Sequence, residues 1–206
     1  MGKLFNELLR RSEGCEAVAF DVGNTLLEWS KVRIAEKYFP AEVRDTLFHA
    51  LFVKDHRWYW MCFDVGDLPH ETVARNIAEE AGCPEQAGAI MQAVLHFKET
   101  LRPMPLMSCL KDLKAAGKRL FVLSNYPQPQ ADEALALFPV FEIFDGRVIS
   151  SDEKVCKPDK RIFDILCARY GLKPETTLFV DDLTDNTAAA ERYGFRVWND
   201  FAAYYD

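Results

Sequence analysis

A doubly wound α/β fold, with a parallel sheet core and an inserted all-helical segment, is predicted for this chain of 206 residues by three features of its order. Short apolar runs recur along it, helical patterns fill most of the intervals between them, and the stretch from 29 to 100 is helical with no convincing strand. Strands alternating with helices build βαβ units. Their parallel strands are covered on both faces and read as near-continuous apolar runs.

The strand candidates are EAVAFD (16–21), RLFVLS (119–124), TLFVD (177–181) and FRVW (195–198), with a weaker run, GRVIS, at 146–150. Their β-branched and aromatic content suits buried strands. Between them, residues 105–116 place Leu106, Leu110 and Leu113 on one helical face and stop at Gly117, a C-terminal signal. A second helix is expected to open at Pro158, carry Ile162, Phe163, Ile165 and Leu166, and end at Gly171; a third spans 184–193 before Gly194. Helical segments at 31–38, 41–53, 55–63, 70–81 and 85–101 make up the insertion. In an open α/β sheet a ligand lies at the carboxyl ends of the strands, so a module emerging after the first strand roofs that edge.

Composition narrows the class. With 49% hydrophobic, 28% charged and 13% aromatic residues, the chain reads as a soluble globule able to bury roughly 70% of its unfolded surface. A formal charge of -7 argues against a nucleic-acid binder, which needs a basic surface, and favours a small-molecule partner. An acidic protein acting on an anion must carry a local positive element in its site. Cys15, Cys62, Cys83, Cys109, Cys156 and Cys167 form no CxxC pair and read as free thiols of a cytoplasmic protein, and no HExxH suggests zinc. No apolar run approaches the ~20 residues of a membrane span. Leu4, Phe5, Leu8 and Leu9 fit a short amphipathic helix docked on the domain. No long exposed apolar helix face stands out, so both a monomer and a homodimer stay open.

The strand ends carry polar groups: Asp21, Ser124, Lys157 just before Pro158, and the pair Asp181 and Asp182. Singly, each has an ordinary reading as a helix cap, a turn residue or a solvated charge. Together they place a carboxylate nucleophile, a hydroxyl donor, a cation and metal-ligating acids at one sheet edge. Phosphoryl transfer needs that set: in-line attack and neutralisation of charge on the equatorial oxygens. Mg²⁺ takes a few oxygen ligands and keeps its waters, which matches two carboxylates rather than a full cage.

AFDVGNTL (19–26), LSN (123–125), KP (157–158) and FVDDLTDN (179–186) resemble, in order and spacing, motifs I to IV of the haloacid dehalogenase superfamily. The resemblance extends over essentially the whole chain and implies a Rossmann-like core at 1–28 and 101–206 with a helical cap at 29–100. It also implies that Asp21 is a nucleophile forming an aspartyl-phosphate, with Asp21, the Gly23 carbonyl and Asp182 binding Mg²⁺ and Asp181 and Asn186 in support. Ser124 would donate to the phosphoryl group, Asn24 and Asn125 would assist binding, and Lys157 would hold both the phosphate and Asp21. The substrate implied is a small phosphate ester such as a sugar phosphate.

Trp29, Arg33, Arg57, Trp58, Trp60, His49 and His56 lie in the cap, where most of the aromatics read as helix-packing core. Asp152, Glu153 and Lys154 read as a solvated loop cluster, with Lys154 a rival to Lys157 for the phosphate. The final residues FAAYYD read as an edge turn.

One position departs from the pattern. The commonest motif I is DxDxT, whose second Asp protonates the leaving group and activates water; here Gly23 stands there. Losing a positioned acid/base typically costs about 10²–10⁴-fold. Three readings follow. Helical-capped phosphatases similar to alpha-glucose-1-phosphatase have a Gly-Asn pair after the nucleophile, as Gly23 and Asn24 do here. Dehalogenases also lack the Asp, because a halide leaves without a proton, but they place an aromatic there and need no metal. The third is a binding or regulatory module that has lost its chemistry.

Overall fold

The computed structural model describes residues 2–53 and 57–205, and the side chains of 57–60 lie outside that description. Its strands are β1 (Ala17–Phe20), β2 (Leu27–Glu28), β3 (Arg102–Pro103), β4 (Arg119–Ser124), β5 (Gly146–Ile149), β6 (Thr177–Val180) and β7 (Arg196–Trp198). Five form one parallel sheet in the order β5-β4-β1-β6-β7. In β1, Ala17 and Ala19 join one core while Val18 and Phe20 join the other, because successive side chains leave opposite faces. A strand buried on both faces needs apolar residues at every position, which is why 16–21 reads as a continuous run.

The helices are α1 (Lys3–Arg11), α2 (Lys31–Tyr38), α3 (Arg44–Phe48), α4 (Arg57–Val65), α5 (His70–Glu80), α6 (Ala87–His96), α7 (Leu110–Ala115), α8 (Gln130–Ala136), α9 (Ser150–Glu153), α10 (Lys160–Tyr170) and α11 (Thr184–Tyr193). One face of the sheet is covered by α10 and α11: Phe163 meets Phe179 edge-on at 5.7 Å, and Ala189 and Ala190 allow close approach. The other face packs α1 through Leu4, Phe5 and Leu8, with α7 and α8. Gly171 and Gly194, both in the left-handed region, end α10 and α11.

Sequence and structure differ at several boundaries. The 105–116 segment opens as a 3₁₀ turn, Pro105–Cys109, before α7, although Leu106, Leu110 and Leu113 are all fully buried. The expected helices at 41–53 and 85–101 are each broken by 3₁₀ or π turns; apolar spacing shows which face is buried but not the hydrogen-bond register. Pro158 does not open its helix. The N-cap is Asp159, whose carboxylate accepts from the Arg161 N–H at 2.9 Å. The C-terminal residues Phe201–Tyr204 form a 3₁₀ turn, with Phe201 buried against Trp198.

The helical run α2 to α6 leaves and rejoins the sheet through adjacent chain segments. β2 and β3 pair antiparallel, Glu28 opposite Arg102, and the Met104 N–H donates to the Leu26 carbonyl at 2.9 Å. This two-residue ladder gave no strand pattern in the sequence because it is too short to show one. Within the run, Trp29 packs against Phe52 at 5.7 Å and Phe97 at 6.2 Å, and Arg33 pairs with Glu28 at 2.9 Å. His56 and the side chains of Arg57, Trp58 and Trp60 lie outside the described residues.

Candidate active site

Three neighbouring strands bring their carboxyl ends together. Asp21 follows β1, Ser124 ends β4, and Asp181 and Asp182 follow β6. The chain runs outward from β1 to β4 and β5, then returns to the other side of β1 for β6 and β7. That reversal is the switch point where open α/β sheets bind ligands.

Asp21 Oδ1 accepts from Ser124 Oγ at 2.8 Å and from Lys157 Nζ at 2.7 Å. Among the described residues no donor reaches its other oxygen, Oδ2. Lys157 Nζ also donates to Asp181 Oδ2 at 2.6 Å, so one buried ammonium bridges two carboxylates. Asn186 Nδ2 donates to both oxygens of Asp181, at 3.1 and 3.0 Å, and the Leu183 N–H to Oδ1 at 2.8 Å. Asp181 is therefore saturated from behind, which leaves Asp21 and Asp182 as the open acids.

The two asparagines serve the frame. Asn125 Oδ1 accepts from the Lys157 N–H at 2.7 Å and its Nδ2 donates to the Lys157 carbonyl at 2.9 Å, a two-bond brace that fixes the lysine backbone. Asn24 occupies the left-handed region, φ 53°, and its Oδ1 accepts from the Trp29 N–H at 3.0 Å. Its side-chain oxygen thus closes the turn after Asp21. Thr25, fully buried, accepts from the Asp182 N–H at 3.2 Å and ties the β1 loop to the β6 loop.

The charges do not balance. The carboxylate oxygens of Asp21, Asp181 and Asp182 lie within 4.8 Å of one another, facing the single ammonium of Lys157. Burial pushes the Asp21 carboxyl up, Lys157 pulls it back, and Asp181 pushes it further up. Asp182 is raised to about 7 by burial and then by the negative charges of Asp21 and Asp181. Burial opposes the Lys157 charge, but Asp181 and Asp21 more than offset it and hold the ammonium above its ordinary range. A site short of positive charge, with oxygen donors converging at this spacing, fits a hard divalent cation.

Residues outside the four motifs also converge. Lys154 is exposed, as expected of a solvated cluster, but it does not stand at the phosphate position: its Nζ donates to the carbonyls of Val65 at 2.8 Å and Gly66 at 3.2 Å, clamping α9 to the end of α4. Glu153 pairs with Arg169 through two bonds of 2.7 and 2.8 Å. Ser150 Oγ accepts from the Tyr126 N–H at 2.9 Å and donates to the Asp64 carbonyl at 2.5 Å. Asp64, Tyr126 and Ser150 carry no motif and gave no sequence signal, because what matters is their approach across the fold.

Comparison with known proteins bears on this arrangement. Residues 15–194 match the model of the haloacid dehalogenase-like hydrolases. The chain is 25% identical over 183 residues to a sesquiterpene phosphatase of Aspergillus oryzae, covering 87% of this chain and 86% of that one. It is also 25% identical over 192 residues to an (S)-2-haloacid dehalogenase of Pseudomonas putida, covering 88% and 82%. A magnesium complex of a HAD family enzyme from Bacteroides thetaiotaomicron shares the fold with a TM-score of 0.67, at 19% identity over 90% of this chain and 92% of that one. No described helix is long and apolar enough to cross a membrane.

Proposed function

Since the chain belongs to the haloacid dehalogenase-like hydrolase family and is a hydrolase, we propose that it is a Mg²⁺-dependent phosphatase acting on a small phosphomonoester through an aspartyl-phosphate on Asp21. The observation that carries this reading is the excess of carboxylates over cations at the sheet edge. Asp21, Asp181 and Asp182 converge within 4.8 Å on one lysine, an arrangement that favours a metal ion, which phosphoryl transfer uses and halide displacement does not need.

Each residue then has a part. Asp21 attacks phosphorus through Oδ2, the oxygen its two donors leave open. Lys157 and Ser124 keep that carboxylate oriented; the third N–H of Lys157 is left for the phosphoryl oxygens, and Ser124 would reach them by turning its one O–H away from Asp21. Asn125 holds Lys157 in place, and Asn24 shapes the turn that carries Asp21 rather than reaching for substrate. Asp21, Asp182 and the Gly23 carbonyl would hold Mg²⁺, which when bound supplies charge neutralisation on the transferring group. Residues 29–100 serve as a cap that excludes water and selects the substrate, over a core of 1–28 and 101–206. The sugar phosphates are the first class to try.

The test is release of inorganic phosphate from para-nitrophenyl phosphate and a panel of sugar phosphates, with Mg²⁺ or with EDTA, beside the Asp21→Asn variant. Mg²⁺-dependent release that vanishes in the variant supports the phosphatase. Chloride released from 2-chloropropionate without metal, with no phosphate released from any ester, would replace it with dehalogenation. Gly23, which supplies no proton, is the feature that keeps this second reading in view.

A further inference from the structure

Gly23 leaves the proposed reaction without a proton carrier at the position where the motif usually places one. An alkoxide leaving group needs a proton and the attacking water must lose one, so some other group has to approach the strand ends. Among the described residues, a carboxyl group from the helical run does so. We infer that Asp64, on the last turn of α4, is the general acid and base of this site, a role that rests on the phosphatase reading above.

The placement is structural. Asp64 is tied to the sheet side through its own carbonyl, which accepts the Ser150 hydroxyl at 2.5 Å, and Ser150 in turn takes the Tyr126 N–H at 2.9 Å. Tyr126 lies two residues beyond Ser124, whose hydroxyl holds Asp21. One residue further on, Lys154 clamps the Val65 and Gly66 carbonyls. Three hydrogen bonds therefore hold the end of α4 at the mouth of the site. The Asp64 carboxyl lies within electrostatic reach of both Lys157 and Asp21. The buried Tyr126 hydroxyl, which has no partner among the described residues, feels the charges of Asp21 and Asp64 alike.

The chemistry agrees with the position. Burial lifts the Asp64 carboxyl to about 7, with Lys157 pulling it down and Asp21 pushing it up, so both protonation states are populated near neutrality. In the first step Asp21 forms a bond to phosphorus, the bond from phosphorus to the leaving oxygen breaks, and the Asp64 proton passes to that oxygen, releasing an alcohol. In the second step the Asp64 carboxylate takes a proton from water, and the water oxygen bonds to phosphorus. The bond to Asp21 breaks, inorganic phosphate departs, and Asp64 is protonated again.

The experiment compares esters whose leaving groups differ in their need for a proton, using the full chain with Mg²⁺. Para-nitrophenyl phosphate releases a stable phenolate; glucose 1-phosphate, glucose 6-phosphate and fructose 1-phosphate release alcohols. In Asp64→Asn, kcat/KM for the sugar phosphates falls by roughly 10²–10⁴-fold, while the stopped-flow burst of para-nitrophenolate keeps its rate and only the later steady state slows. A Cβ at Gly23 would meet nothing within 4 Å, which leaves room to start a side chain there, so Gly23→Asp is the rescue variant. In the Asp64→Asn background it restores sugar phosphate hydrolysis, which separates lost proton transfer from lost structure. If the unaltered chain shows no Asp21-dependent phosphate release from any ester, the phosphatase reading falls. If it does, and Asp64→Asn lowers burst and sugar phosphate turnover equally or changes neither, the Asp64 assignment alone falls.

Discussion

Lys157 illustrates how one buried residue carries both stability and chemistry. Its ammonium is almost wholly buried between Asp21 and Asp181 at 2.7 and 2.6 Å, and deleting it would leave two buried carboxylates facing each other. Lys157→Met is therefore expected to cost about 3–5 kcal/mol in urea unfolding, besides abolishing turnover. Asp21→Asn differs in kind: it removes the nucleophile but keeps the shape and still accepts from Ser124. Phosphate release is expected to drop roughly 10⁴-fold or more with the urea midpoint little changed. Asp21, Ser124 and Asp182 were legible in the sequence because each ends or follows a strand, and strand ends in a parallel sheet meet at one edge; Lys157, which lies beyond α9, was legible through its Lys-Pro pair. The hydrogen bonds of Asn24 and Asn125 were not legible, since a side-chain amide near a site can brace backbone as readily as bind a ligand, and spacing does not distinguish the two.

At the level of elements, the contact between α10 and the sheet shows how packing supports the edge. Phe163 is fully buried against Phe179, one position before the end of β6, so Phe163→Ala opens a cavity directly beneath the Asp181 loop. A loss of about 3–5 kcal/mol in denaturant unfolding is expected. The α9 to α4 clamp works differently. Lys154 is exposed, and Lys154→Ala is expected to leave stability within about 0.5 kcal/mol while speeding amide hydrogen exchange around residues 64–67. Unchanged exchange there would mean that the end of α4 is held by Ser150 alone. The sequence showed a charge cluster at 152–154 but not its partners, because the Val65 and Gly66 carbonyls belong to backbone, which has no sequence signature.

Across the whole molecule, the surplus of negative charge at the sheet edge should govern how stability depends on pH. Asp182 and Asp64 are both raised from 3.8 to about 7, so between those values the native state binds protons that the unfolded state has lost. Without metal, stability therefore falls as pH rises from about 4 to about 7, the reverse of a salt-bridged carboxylate. Glu7, lowered to about 2 by Arg10 and Arg11, acts in a lower window and with the opposite sign. Thermal melts in EDTA should show a lower Tm at pH 7.5 than at pH 5.5, and Mg²⁺ should raise Tm more at the higher pH. Asp182→Asn should weaken the pH effect and remove the Mg²⁺ effect; a Tm that rises with pH over this window would contradict the charge imbalance. The sequence by itself determined the α/β class, the five parallel strands and the residues at their ends, because buried strands need apolar runs and the ends of such runs must carry the polar groups. The tertiary structure decided which acid saturates which lysine, how the helical run is anchored, and that Asp64 reaches the site, because those depend on distances across the fold between residues that no local pattern connects.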